Sequence, residues 1–114
     1  MIIKEKKFLN QIFKDIFGDE NRYVVLSGPS FAKEIFLENP TMVTLASKNK
    51  EALKDLQEKI YSHFFKCYAQ YDVMGVELSG AVKNILALGA GYVDGLGYGF
   101  NTMAAFVTRG IKEV

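Results

Sequence analysis

The sequence contains very few of the residues that mark disulfide-bonded or metal-binding proteins. Its 114 residues include one cysteine, one histidine, two prolines and no tryptophan. The lone Cys67 excludes an internal disulfide and is typical of a reducing compartment, so we predict a cytoplasmic protein. His63 has no second histidine, cysteine or carboxylate at ligand spacing, so we predict no metal site and place His63 at the end of a helix.

The charges nearly balance, with 14 basic and 13 acidic residues and a net charge of +1. This balance argues against nucleic acid as a partner. Basic residues do gather near the start, and helical spacing of their apolar neighbours predicts a core-facing stripe, with a membrane-surface helix as the alternative. These neighbours are Phe8, Leu9, Ile12, Phe13, Ile16 and Phe17. No apolar run has the length expected of a membrane span, and no signal peptide is recognisable, so we predict no stable membrane insertion.

The first 70 residues alternate between helical and strand patterns, which is typical of an α/β layer structure. We predict helices over 3–18, 31–37 and about 49–62, with Ser30 and Ser47 as N-caps of the second and third. Strands are predicted at 23–26, 41–46 and 64–70, where β-branched and aromatic residues cluster. The third strand places Cys67 in a buried position, and the third helix turns its apolar residues inward, namely Leu53, Leu56, Ile60 and Tyr61.

The pattern changes after residue 70. Asp72 is a suitable N-cap for one long helix, VMGVELSGAVKNILALGAGYVDG, and we place a domain boundary there, dividing 1–72 from 73–114. The helix contains four interior glycines, which are costly unless another backbone or a ligand comes close. A glycine-rich loop follows at 95–99, and Asn101 is the predicted cap of a last helix over 102–113.

Two segments could carry chemistry. The first, Ser27-Gly28-Pro29-Ser30-Phe31-Ala32, joins a strand to a helix, so its free N–H groups could bind phosphate or a cofactor edge. An ordinary helix start with a proline in its first turn has the same sequence pattern. Lys83, followed by Asn84, shares a helix face with small residues. Burial there would make it a general acid or base, whereas the alternative is a surface lysine whose stem covers apolar residues. Gly89-Ala90-Gly91 lacks a preceding strand and a third glycine, so it is not a dinucleotide fingerprint.

The order of LSGPSFAKE, a strand–helix–strand and then SGAVKN followed by GLGYGFN and AAFVTRG resembles the NAD(P)-dependent glycerol-3-phosphate dehydrogenases from residue 23 to 114. The resemblance implies the last part of a Rossmann-type domain followed by the first helices of an all-α domain. It implies that dihydroxyacetone phosphate and sn-glycerol 3-phosphate are interconverted with NAD or NADP, feeding phospholipid precursor synthesis. Lys83 matches the proton-transferring lysine, which also binds substrate, and Gly28 and Ser30 match positions that contact the substrate. Asn84 follows the lysine as in the family, where it binds substrate or orients the lysine, and Ala32 matches a cofactor-lining position.

The sequence departs from the family pattern in two places. Phe100 and Met103 stand where the family commonly has an acidic residue and a lysine. The cofactor-binding fingerprint and a later Arg-Asn segment are absent, so we expect a central fragment that is inactive alone and self-associates through exposed apolar helices. Another dehydrogenase of the 6-phosphogluconate or hydroxyacid type, and a non-catalytic helical assembly module, are the alternatives.

Overall fold

The computed structural model describes residues 7–19 and 22–113. Five helices and three strands are found there, in the order α1 (Leu9–Phe17), β1 (Val25–Ser27), α2 (Ala32–Phe36), β2 (Thr41–Ala46), α3 (Lys50–Ile60), β3 (Phe65–Gln70), α4 (Val73–Gly95) and α5 (Phe100–Glu113). The chain forms two compact units, Met1–Leu78 and Ser79–Val114. The sequence-based division near residue 72 stays a prediction about domains.

The first unit is built on a three-stranded mixed sheet. The strand order is β1-β2-β3, with β1 antiparallel to β2 and β2 parallel to β3. The parallel pair is joined through α3, whose buried Leu53 packs on Val43, Leu45 and Cys67. This is the α/β arrangement that the alternating pattern predicted.

The strand and helix bounds agree with the predicted ones to different degrees. Strand β2 begins and ends at the predicted residues, whereas β1 lies at Val25–Ser27 rather than 23–26. Helix α3 does turn Leu53 inward, with Leu56 and Ile60 partly buried, but Tyr61 is 56% exposed. Lys66 Nζ instead donates a hydrogen bond to the Tyr61 hydroxyl and lies over the Tyr61 ring.

Two predicted N-caps in the first unit are wrong. Asn49, not Ser47, caps α3, and its side chain accepts hydrogen bonds from Glu51 N and Ala52 N, both at 3.0 Å. Ser47 still belongs to the end of the sheet, because its N–H donates to Gln70 O. Likewise Phe31 stands at the N-cap of α2 with no side-chain hydrogen bond, while Ser30 Oγ donates to Gly28 O at 3.4 Å.

Within the described residues, helix α1 is shorter than the helix predicted over 3–18. It runs from Leu9 to Phe17, and residues 1–6, which carry Lys4 and Lys6, lie outside the described part. The predicted core stripe is only partly formed. Phe13 packs on Tyr23 at 5.2 Å between ring centroids, but Ile16 is 69% exposed.

The second unit contains most of α4 and all of α5. Helix α5 starts at Phe100, and Thr102 N and Met103 N donate to Gly99 O, so Asn101 lies inside the helix and the predicted cap at Asn101 is wrong.

Helix α4 corrects one expectation about membranes. Its 23 residues reach a mean hydropathy of 1.3 over 18 residues, which is long and apolar enough to cross a bilayer by length and composition. The expectation that no apolar run has the length of a membrane span is therefore wrong. One such helix is weak evidence, and this one carries Glu77, Lys83 and Asp94 along its length.

Candidate active site

Lys83 lies near the middle of α4, and the start of this helix is fixed by its cap. Asp72 Oδ1 accepts a hydrogen bond from Gly75 N at 2.9 Å, which confirms Asp72 as the side chain that closes the first turn. A Cβ atom on Gly75 would overlap the Asp72 carboxylate, so the glycine leaves room for the cap to fold over the helix. The sequence thus specifies where α4 begins.

The Lys83 side chain is exposed and borders an open cavity of about 220 Å³ in the second unit. The other lining residues are Ser79, Leu86 and Ile111. The cavity is mostly apolar, and Lys83 and Ser79 are the polar residues among those that line it. The burial on which an acid–base role was first argued is therefore absent, because the described residues leave Lys83 in contact with solvent.

Asn84 is also exposed and follows Lys83 on the same helix. Successive helical residues are rotated by about 100°, so the two side chains leave α4 in different directions. Asn84 does not line the Lys83 cavity. The two residues are close in the chain but do not face the same space.

Two of the helix glycines are explained by packing within the second unit. A Cβ atom on Gly89 would overlap the ring of Phe106, and one on Gly110 would overlap the Leu86 side chain. Helix α4 thus receives a side chain of α5 at Gly89, and α5 receives a side chain of α4 at Gly110. The close neighbour that the interior glycines of α4 predicted is, at Gly89, a side chain of the packed helix α5.

The Ser27–Ala32 segment lies in the first unit, and Gly28 is its most constrained residue. Gly28 has a φ of +146°, and a Cβ atom there would come within 3.0 Å of Val43 Cα and 3.2 Å of Met42 O. Only glycine combines that backbone conformation with so close an approach to β2. The turn is therefore built against the sheet, whatever it also binds.

Ser30 and Ala32 are both exposed beside this turn. Helix α2, which begins at Ala32, has only five residues, so its dipole is too small to make an anion site by itself. Ser30, Ala32 and Gly28 share the first unit, whereas Lys83 and Asn84 share the second.

Cys67 and His63 have no feature of a reactive site. Cys67 is 7% exposed on β3, as predicted, and burial raises the pKa of its thiol, which disfavours the nucleophilic thiolate. His63 lies between α3 and β3 rather than at a helix end, and its Nε2 is 3.8 Å from Glu38 Oε2. Over residues 7–19 and 22–113, no three His, Cys, Asp or Glu side chains come together as metal ligands.

The sequence interpretation did not anticipate a buried polar group around Glu77. Glu77 is 7% exposed, and its Oε1 accepts hydrogen bonds from Asn10 N at 3.0 Å and from the Tyr23 hydroxyl at 2.5 Å. Burial, followed by the hydrogen bond and the charge of Glu77, strongly raises the pKa of Tyr23. The sequence feature that could have indicated this buried group is a glutamate inside the apolar run VMGVELSGAV.

The described residues do not form the main phosphate-binding turn of a dinucleotide site. Gly89-Ala90-Gly91 lies inside α4, as predicted, and no strand leads into it. The turn at Gly28 is packed against β2 and opens a helix of five residues. The chain holds no strand-to-helix GxGxxG segment, so this part of the protein does not build the phosphate-binding turn of a Rossmann domain.

The mixed sheet followed by a helical unit defines an α/β protein with a helical C-terminal part. Two family models match the chain: the N-terminus of NAD-dependent glycerol-3-phosphate dehydrogenase matches residues 2–53, and the C-terminus of the same family matches residues 72–114. Together they cover most of the sequence in the family's own order. The chain belongs to the NAD-dependent glycerol-3-phosphate dehydrogenase family.

Curated relatives agree with this assignment. A glycerol-3-phosphate dehydrogenase (NAD(P)+) of Solidesulfovibrio magneticus is 49% identical over 107 residues, which cover 93% of this chain and 32% of the relative. The Vibrio cholerae enzyme of the same name is 45% identical over 109 residues, or 95% of this chain and 32% of the relative. The chain thus spans about a third of the length of these relatives. The names favour this family over the 6-phosphogluconate and hydroxyacid alternative.

Solved structures show the same likeness. The glycerol-3-phosphate dehydrogenase of Coxiella burnetii has a TM-score of 0.72 and 49% identity, covering 79% of this chain and 28% of its own. That of Plasmodium falciparum has a TM-score of 0.84 and 29% identity, covering 94% of this chain and 29% of its own. These matches confirm the α/β fold with its helical C-terminal part.

Proposed function

We propose that this chain is the central part of a cytoplasmic enzyme that interconverts dihydroxyacetone phosphate and sn-glycerol 3-phosphate with NAD(P)H and supplies phospholipid precursors. The family assignment supports the substrate pair and the cofactor. The observation that carries the site is Lys83, an exposed lysine that borders an open cavity on α4 inside the segment matched by the C-terminal family model.

Lys83 is the proposed proton donor in reduction and acceptor in oxidation. In the complete enzyme, the bound nicotinamide cofactor would supply or take the hydride at the substrate carbon. As negative charge develops on the carbonyl oxygen, the Lys83 ammonium stabilises it and transfers a proton, which yields the secondary alcohol.

The remaining site residues have supporting roles in the proposal. Asn84 binds substrate or orients Lys83, and Gly28 and Ser30 contact substrate through the turn that follows β1. Ala32 lines the cofactor. Phe100 is 95% exposed at the start of α5, so replacing the family's acidic residue there changes the surface rather than the Lys83 cavity.

Activity is testable in a chimera. The matched 109 residues of the Vibrio cholerae relative are exchanged for this chain, and NADH or NADPH oxidation is followed with dihydroxyacetone phosphate. We expect turnover in the chimera and none in the 114-residue chain alone, because the chain lacks the cofactor-binding turn. Robust turnover by the chain alone would contradict that second expectation.

The role of Lys83 is tested in the same chimera. Lys83→Ala should lower kcat by roughly 100- to 10,000-fold, the usual contribution of a general acid or base. Lys112→Ala is the matched control, since Lys112 is an exposed lysine of the same unit that does not line the cavity. Retained kcat in Lys83→Ala, with the circular dichroism spectrum unchanged, would refute the assignment.

Self-association is the second proposal, and it rests on exposed apolar side chains of the second unit. Ile85, Leu88 and Tyr92 are 69%, 78% and 70% exposed on α4, and Ile111 is 65% exposed on α5. Surfaces of this kind favour burial between copies. We propose a homo-oligomer. Light scattering that gives a monomeric mass across the micromolar range would argue against it.

A further inference from the structure

One wall of the Lys83 cavity is formed by a residue that packs between α4 and α5. Leu86 follows Lys83 by three residues on α4 and borders the same cavity of about 220 Å³. Residues three apart on a helix are neighbours on its surface, so Leu86 and Lys83 bound one space. On α5, Ile111 borders this cavity, and Gly110 directly precedes it. These residues all belong to the second unit, so the arrangement lies within one compact body.

Gly110 provides the seat of the Leu86 side chain. A Cβ atom at Gly110 would overlap Leu86 Cδ2 and would come to 3.5 Å from Leu86 Cδ1 and Cγ. The overlapping atom is the end of a side chain that can change rotamer, whereas Gly110 is part of a helix backbone, so an added Cβ atom would move Leu86. Leu86 packs on α5 on one side and borders open space on the other. A displaced Leu86 would therefore enter the Lys83 cavity.

The space beside Lys83 limits which substrates can react there. The proposed reaction brings a substrate oxygen to the Lys83 ammonium group, and the rest of the substrate must fit the same space. An apolar wall selects by size, and one additional methylene group typically changes kcat/KM by roughly 10- to 200-fold. Resting on the proposed function, we propose that Leu86, seated on Gly110, is a specificity-determining residue that restricts the Lys83 cavity to short-chain carbonyl substrates.

The first test examines the seat in the 114-residue chain by NMR with labelled leucine methyl groups. Nuclear Overhauser contacts are expected between the Leu86 methyl groups and the α protons of Gly110. Gly110→Ala should shift the Leu86 methyl resonances and strengthen their contacts with Lys83 and Ile111. Gly91→Ala is the matched control, because a Cβ atom at Gly91 would meet nothing within 4 Å. Leu86 resonances that respond equally to both substitutions, or to neither, would overturn the proposal.

The second test measures size selectivity in the chimera with the Vibrio cholerae relative. Dihydroxyacetone phosphate is compared with two homologues, which carry one additional methyl group either on the hydroxymethyl carbon or on the phosphate-bearing carbon. Leu86→Ala should raise kcat/KM for at least one homologue by about tenfold or more relative to dihydroxyacetone phosphate. This ratio is measured on one sample, so it does not depend on the folded fraction. Leu96→Ala, at an exposed leucine of the same unit outside the cavity lining, should leave the ratio unchanged. An equally unchanged ratio in Leu86→Ala would overturn the proposal.

A double variant tests the coupling between the seat and the wall. Gly110→Ala alone should lower kcat/KM for dihydroxyacetone phosphate by about tenfold, because Leu86 then occupies part of the cavity. Gly110→Ala combined with Leu86→Ala should recover the value of Leu86→Ala, since alanine lacks the atoms that the new Cβ atom would overlap. A loss that persists in the double variant would refute the seat.

The role of Leu86 and the proposed function fail on different results. If Lys83→Ala leaves turnover intact, the proposed function fails, and the selectivity assigned to Leu86 fails with it. If Lys83→Ala removes turnover while Leu86→Ala behaves like Leu96→Ala, the proposed function stands and the role of Leu86 is wrong.

Discussion

Gly89→Ala gives the most direct check on the packing of α4 and α5. A Cβ atom at Gly89 would overlap the Phe106 ring, so the ring or the helix must shift. Overpacking of this kind costs about 1–3 kcal/mol. The same substitution raises helix propensity by about 1 kcal/mol, so the net loss of stability should lie between about 0 and 2 kcal/mol.

Gly91→Ala on the same helix removes the ambiguity in that net value. A Cβ atom at Gly91 would meet nothing within 4 Å, so this variant gains the helix propensity without the overlap. It should be about 1 kcal/mol more stable than the unmodified chain. The difference between the two alanine variants, about 1–3 kcal/mol, then isolates the contact with Phe106.

Urea unfolding followed by circular dichroism measures this difference. With a slope of about 1–3 kcal/mol per molar urea, the two midpoints should differ by about 1 M. If Gly89→Ala were as stable as Gly91→Ala, the Phe106 ring would not sit on Gly89, and the glycine would need another explanation, such as space for a ligand.

Two further predictions concern the first unit. Because the pKa of Tyr23 is raised on folding, the folded chain holds the phenolic proton more tightly than the unfolded chain does. The resulting stabilisation is complete below pH 10 and is lost as the pH rises above 10. Tyr23→Phe should therefore flatten the alkaline loss of stability in urea titrations between pH 8 and 11. Equal alkaline slopes would refute this. Gly28→Ala should cost about 1–3 kcal/mol and exceed the cost of Gly18→Ala, since both have positive φ but only Gly28 would press a Cβ atom on Val43. Similar losses by thermal denaturation would contradict it.

The fold was largely predictable wherever one residue type decides the local structure. β2 matches its predicted range because alternating Val43 and Leu45 face one core, and α4 starts after Asp72 because the carboxylate reaches Gly75 N. The caps at Ser30 and Ser47 were not predictable. Several polar residues stand near those helix starts, and the choice depends on where the chain leaves the sheet.

The site was less predictable than the fold, because its chemistry depends on contacts distant in sequence. Nothing local indicates that Glu77 meets Asn10 and Tyr23, residues 67 and 54 positions away. Only the complete series of motifs, from SGPSFA through SGAVKN to TRG, indicated a catalytic role for Lys83. The local environment of Lys83, exposed on its helix, is equally compatible with a surface lysine.

The glycines of α4 therefore support the function of Lys83 less than their number suggests. Gly75 accommodates the Asp72 cap and Gly89 accommodates Phe106, so neither needs a ligand to explain it. Open space lies beside Lys83, bounded by Ser79 and Ile111, but Lys54 on α3 borders an open space as well. What does distinguish Lys83 is its place in SGAVKN, inside the segment that the C-terminal family model matches. The proposed proton transfer needs the space beside it, because a substrate oxygen must come within hydrogen-bonding distance of the ammonium group.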